Sequence, residues 1–393
     1  MTDLWSSPRR EHALTWRIAA VALVVLLAAG TAVALLAGRD GSQVRSPAAS
    51  GDPQPLIDTS RIISGGPPPD GIPPIDEPKF ENVADVGWLT AREPVVAVEV
   101  AEDARAYPLQ VLTWHEIVND TVGDVPLSVT FCPLCNTAYA FVRPEVDGEV
   151  TTFGTSGKLF NSNLVMYDRA TESYWPQAMG QAVVGPLTGT ELERVPAQIV
   201  SWEDFKSNFP DAKVLSRETG FERPYGENPY VGYDDVDNPP FLFDGEADGR
   251  LAPVERVLGV EHADEVMAFP YFRLQDSAAG EWSAANTELG GEPLVVLWKK
   301  GTTSALDAQQ IASSRDVGAA AAFSRRVEGR VLTFKSSASG IVDRETGSRW
   351  NLFGEATSGA LEGTRLEHLD AHDSFWFDWA AFHPDTLIWS ADS

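Results

Sequence analysis

The segment from Asp168 to Leu192, DRATESYWPQAMGQAVVGPLTGTEL, is echoed by Asp343 to Leu366, DRETGSRWNLFGEATSGALEGTRL. Ordered self-similarity constrains a fold more than any single motif, because each copy of a repeated unit must build the same local structure. Other pairs keep the order. Val98 and Glu99 through Ala106-Tyr107-Pro108 match Val260 and Glu261 through Ala268-Phe269-Pro270, and GDVPLSV after Asn119 matches GGEPLVV after Asn286. FVRPEVDGEVTTF matches FSRRVEGRVLTF, each with a Gly-centred hairpin turn. Trp202 to Asp211 corresponds to Trp376 to Asp385. The reading is two tandem copies of one unit, 85–215 and 256–390, joined by a connector at 216–255.

Within a copy, short runs alternate with period two, as in Leu127, Val129 and Phe131 or Tyr139 and Phe141, between Asp-Gly and Gly-Gly turns. Each copy ends in a short helix with Ser201 or Ser374 as its N-cap and a proline behind it. These patterns predict an α+β, β-rich fold of two tandem copies, an internal duplication.

Ahead of the copies, residues 18–38 carry no charge and are long enough to cross a hydrocarbon core of roughly 30 Å as a transmembrane helix. Arg9, Arg10 and Arg17 precede them, which places 1–17 in the cytoplasm and everything after Arg39 outside, a single-pass cell-membrane protein held by a signal anchor. The rival is a cleaved signal peptide, since Ala32-Val33-Ala34 has the small-x-small form of a cleavage site. Either way the rest is exported. Residues 39–80 are dense in Pro, Gly and Ser and read as an extended tether. A net charge of −27 argues against nucleic acid as a partner, which leaves the membrane through the N-terminal helix and an unnamed protein or small-molecule ligand.

Five strings carry a resemblance: DGIPPIDEPKF, ARAYPLQVLTWHEIVND, FCPLCNTA, FGTSGKLFNSNLVMYDRATESYW and RPYGENPYVGYD. Over about residues 70–390 the chain resembles the DUF3179 family of bacterial and archaeal membrane-anchored or exported proteins. The resemblance implies a domain of unknown function and brings no mechanism with it.

Cys132 and Cys135 in FCPLCNTA are the only cysteines, and the second copy aligns Lys299 to Ala305 with them and has none. A C-P-x-C turn between strands has the geometry of a metal-binding knuckle, with Asn136 able to take the left-handed conformation that follows the second Cys. A thioredoxin-type pair instead opens a helix, whereas NTAYAFVRP reads as strand. His115 is the only histidine in copy one, and with Glu116 it would complete a set for Cu, Zn or Fe. Two alternatives stand beside metal binding. One is thiol–disulfide redox chemistry with His115 as base; the other is a structural disulfide in a non-catalytic binding module. The sequence assigns no reaction, and Cys132, Cys135 and His115 are the residues a catalytic role would use. GTSG at 154–157 lacks the strand–GxGxxG–helix context of a nucleotide site. Lys158 and Asn161 have no counterpart in the second copy and are pocket candidates. Tyr225, Tyr230 and Tyr233 in the connector are candidates to wall a cleft at the joint.

Overall fold

The structure, a computed structural model, describes residues 51–391. The expected cytoplasmic segment 1–17, the membrane helix 18–38 and the first part of the tether lie outside the described residues. Among those described, strands dominate. The α-helices Leu109–His115, Trp202–Asn208, Tyr271–Asp276 and Trp376–Phe382 have only six or seven residues each. No described helix is long and apolar enough to cross a membrane.

Alternating apolar residues pair into hairpins whose registers set everything that follows. In the first half, a five-stranded sheet runs Ala197–Ser201, Pro94–Val100, Asp103–Pro108, Lys213–Leu215, Phe80–Asn82, and only the Lys213–Leu215 pairing with Asp103–Pro108 is parallel. A four-stranded sheet runs Arg194–Val195, Thr137–Val142, Val125–Cys132, Ile117–Val122, all antiparallel. A third runs Ile63–Ser64, Phe153–Phe160, Asn163–Asp168, Tyr174–Pro176. In the second half the sheets are Asp370–Phe375, Arg256–His262, Glu265–Pro270, Leu387–Ile388; Trp282–Leu289, Glu292–Lys299, Ala319–Ser324; and Phe334–Ser337, Gly340–Asp343, Arg349–Trp350, Ala356–Ser358.

The β-rich part of the expected α+β fold holds, but the expectation of two tandem copies, an internal duplication, is corrected by this architecture. Helix is a minor part of the described residues, and none of it spans a membrane. Two of the three pairs of sheets differ in strand number between the halves, five against four and four against three. The halves are also not two bodies in series, because they share cores. Val95, Trp202 and Phe205 pack in one apolar cluster with Val295, Phe323 and Trp350, and Phe375 and Phe377 are part of the cluster around Val129 and Phe131. The physical reason is that one apolar face of the five-stranded first-half sheet is covered by second-half strands.

Two local expectations change as well. Residues from 51 to 80 are no free tether: Ile75 is buried, its N–H donates to the Ile117 carbonyl at 2.9 Å, and its own carbonyl accepts from Asn119 N–H at 2.8 Å. Pro- and Gly-rich composition is compatible with a packed loop when neighbouring strands supply its backbone partners. The Ser201 N-cap forms, its side chain accepting from Asp204 N–H, but the last helix is capped at Phe375 without a side-chain bond, and the Ser374 hydroxyl donates to Asp378 instead.

Candidate functional site

The helix Leu109–His115 ends where Glu116 takes φ 59°, a left-handed conformation uncommon for any residue with a Cβ. Two backbone bonds hold it there: Glu116 N–H donates to the Leu112 carbonyl at 2.7 Å, and Phe131 N–H donates to the Glu116 carbonyl at 2.8 Å. The turn directs the Glu116 side chain into the wall of a cavity of about 380 Å³. Glu116 is 7 % exposed, and its carboxyl has no hydrogen-bond or ion-pair partner among the described residues. Burial alone pushes its pKa from 4.5 to about 8, so the protonated form predominates at neutral pH. Beside it, the buried Thr113 hydroxyl also lacks a partner.

The rest of the cavity is mostly apolar. Pro67, Ile72, Leu159, Leu164 and Phe241 line it, and Lys158, Tyr230, Glu222 and Arg223 are among the polar residues on the wall. The loop that carries Pro67 and Ile72 is stitched to the strand Phe153–Phe160: Gly65 N–H donates to Gly157 O at 2.9 Å, Asp70 N–H to Thr155 O at 2.8 Å, and the Thr155 hydroxyl to Ile72 O at 2.7 Å. Gly157 makes this approach possible. Its φ is 69°, and a Cβ there would lie 2.0 Å from the Pro67 carbonyl oxygen.

His115 does not face the thiols as a free ligand. Its Nδ1 lies 2.6 Å from the Pro73 carbonyl and its Nε2 2.6 Å from the Tyr225 hydroxyl. A carbonyl only accepts, so Nδ1 carries the proton and Nε2 accepts from Tyr225. Burial lowers the His115 pKa to about 4, which keeps the ring neutral. Tyr225 is tied in turn to Thr219 at 2.5 Å. The result is a polar strut between the loop 65–73, the helix and the connector.

Cys132 and Cys135 close the adjacent hairpin. Cys132 pairs with Thr137, Cys135 N–H donates to the Cys132 carbonyl at 3.2 Å, and Asn136 takes φ 56°. Both are free and buried, and they approach to 3.7 Å. Leu134 between them lines the cavity, and its carbonyl accepts from the Tyr233 hydroxyl at 2.9 Å. Behind the thiols, Asp378 from the last helix accepts from Asn163 at 3.0 Å, Ser374 at 3.0 Å and the Cys135 thiol. Burial raises the Asp378 pKa to about 6. Burial and the bonds to Cys132 and Asp378 push the Cys135 thiol well up, so it stays protonated.

The sequence-derived set is therefore brought together in part. Glu116, Lys158 and Tyr230 share one cavity with Leu134 of the cysteine turn. Tyr225 and Tyr233 act as struts to His115 and Leu134. Asn161 turns away and accepts from Arg61. Cys132, Cys135, His115 and Glu116 do not converge as a ligand cluster among the described residues. Asp378 and the 65–73 loop escape sequence reasoning. Asp378 lies in the other half of the chain, and the loop has the composition of a linker.

The family model for a protein of unknown function, DUF3179, matches residues 69–386. The chain belongs to this family. The DUF3179 match spans every element that builds the cavity from Asp70 onward, the cysteine turn and Asp378. No curated protein and no solved structure matches the chain.

Proposed function

We propose that this DUF3179 chain is a non-catalytic binding module whose cavity takes a small, mainly apolar molecule bearing a carbonyl or carboxyl group. The observation that carries this reading is the Glu116 side chain, buried and without a partner among the described residues at the wall of a largely apolar cavity of about 380 Å³, where burial raises its pKa. A cavity of that size is in the range of small-molecule sites, which pair apolar walls with few orienting polar groups. A protonated carboxyl donates one hydrogen bond, which suits a carbonyl oxygen, and Lys158 supplies a cation for an acid. The Thr113 hydroxyl on the same wall is buried without a partner, which costs about 1–3 kcal/mol, and a ligand that pairs it recovers that cost. Placement of this module outside the cytoplasm at a membrane is likewise our proposal and rests on residues 1–39 of the sequence.

The test is a thermal-shift series with medium-chain fatty acids and aryl ketones, run on the native protein, Glu116→Ala and Leu134→Trp. Members of the series raise Tm in the native protein, Glu116→Ala weakens them, and Leu134→Trp, which fills the cavity, abolishes the shift. Equal shifts in all three proteins overturn the reading.

A second reading has its own observation, the two unbonded thiols 3.7 Å apart with the Cys135 thiol hydrogen-bonded to Asp378. In it the two thiols exchange with a partner's disulfide, leaving a Cys132–Cys135 bond and two partner thiols. The sulfurs would close to about 2.05 Å. A mixed disulfide trapped on Cys132 in Cys135→Ser under native conditions supports this reading, and its absence leaves the binding module alone.

A further inference from the structure

A second polar site lies where the two halves meet. The strands Arg256–His262 and Asp370–Phe375 pair antiparallel, with Glu261 directly opposite Asp370. His372 is two residues beyond Asp370 and so projects from the same face. The register therefore gathers two carboxylates and an imidazole, and their ligand-type atoms lie within 4.8 Å of one another. Like charges placed opposite each other across a sheet repel. Here the Arg194 guanidinium lies between them, Nη1 donating to Glu261 at 2.7 Å and to Asp370 at 2.9 Å.

Two further observations point to a ligand. His372 and Tyr139 are 5 % and 3 % exposed, and both line a cavity of about 550 Å³ that also exposes Arg194 and Asp370. His372 Nδ1 and the Tyr139 hydroxyl have no hydrogen-bond partner among the described residues. Their rings lie 4.5 Å apart. His383 comes within 3.9 Å of Glu261 through Nε2. Asp370 is exposed and Glu261 half-buried, so the buried His372 and Tyr139, with unsatisfied polar atoms beside the cavity, are what set this cluster apart from a simple surface ion pair.

We propose that Glu261, Asp370 and His372 bind a divalent first-row transition ion, Zn(II) or Mn(II), and that Arg194 is the cation that holds the two carboxylates when no metal is bound. Carboxylate oxygen and imidazole nitrogen without thiolate suit these ions. Metal–ligand bonds of about 2.0–2.2 Å put ligand atoms roughly 3–4 Å apart, so side-chain rotation of about an ångström completes the set. Three protein ligands leave the remaining positions facing the cavity, where a water or small oxyanion would complete the coordination. Arg194 retains a second anchor, Nη2 donating to the Ala178 carbonyl at 3.1 Å, and it stacks over Tyr139 at 5.2 Å, so it has a place to stay when the carboxylates turn to the metal.

Competition between guanidinium and metal is the part of this proposal that an ordinary ion pair would not reproduce. The experiment is equilibrium dialysis of the chelator-treated full chain against Zn(II) or Mn(II), with Mg(II) as control. The native protein takes up one equivalent of transition ion. Arg194→Gln binds it more tightly, by about tenfold, and His372→Ala loses at least about tenfold in affinity. Glu261→Gln, which keeps the Arg194–Asp370 pair and so spares the joint between the halves, loses affinity as well. Absence of stoichiometric uptake by the native protein overturns the proposal, and so does uptake unchanged in His372→Ala and Glu261→Gln or weakened in Arg194→Gln.

Discussion

Replacing Glu116 by Gln should convert a pH-dependent fold into a flatter one. The Glu116 carboxyl titrates at about 8 in the fold against an ordinary 4.5, and burial is the sole cause. Below about pH 4.5 it is protonated in both folded and unfolded chains, and its protonation contributes no penalty. As pH rises above that value the unfolded chain releases the proton while the folded chain keeps it, so stability falls until pH passes about 8. At about 1.4 kcal/mol for each pH unit in that window, the loss is on the order of 5 kcal/mol. Gln has nearly the same shape and no proton to release. Urea unfolding of native protein and Glu116→Gln should therefore give similar stabilities near pH 4.5, with the variant pulling ahead by several kcal/mol near pH 9. The difference between the two curves isolates Glu116 from Asp373 and Asp378, whose carboxyls burial raises to about 6 in both proteins. Parallel curves would mean that Glu116 is solvated or paired in the fold.

Gly157→Ala should cost about 2 kcal/mol or more, since a left-handed residue gains a Cβ against the Pro67 carbonyl, and it should also loosen the cavity wall, seen as faster amide exchange in residues 65–73. Asp378→Ala leaves the Asn163 amide, the Ser374 hydroxyl and the Cys135 thiol without their acceptor, so chemical denaturation should show a loss of about 3 kcal/mol. Cys132 and Cys135 should react with a bulky thiol reagent in the unfolded chain and slowly in the folded one, because both are buried; equal rates in the two states would contradict that burial.

What the sequence made legible was local. The left-handed Asn136 of the cysteine turn follows from residues adjacent in the chain, as does the Ser201 cap. The echo between Asp168 and Asp343 has a local counterpart too: Asp168 accepts from Thr171 and Trp175, and Asp343 from Thr346 and Trp350. It did not extend to two tandem bodies, because burial of a sheet face depends on whichever strands cover it. His115 stood out as a rare residue, and its partners Pro73 and Tyr225 come from stretches 42 and 110 residues away that read as tether and connector. The acidity of Glu116 was equally hidden. It arises from burial, in a cavity part of whose wall is a loop whose proline content says only that it is not helix. Glu261 and Asp370 lacked any motif, since only the pairing register sets them opposite each other.

In the proposed binding module Glu116 stands protonated and unpartnered in the cavity wall. Infrared difference spectroscopy reads that state directly. At neutral pH the native protein should show a protonated-carboxyl band that is absent from Glu116→Gln, and binding of an aryl ketone or fatty acid should shift the band as the carboxyl donates to the ligand's carbonyl. A Glu116 that contributes only a carboxylate band at neutral pH, or a protonated band unmoved by a bound ligand, would contradict the account.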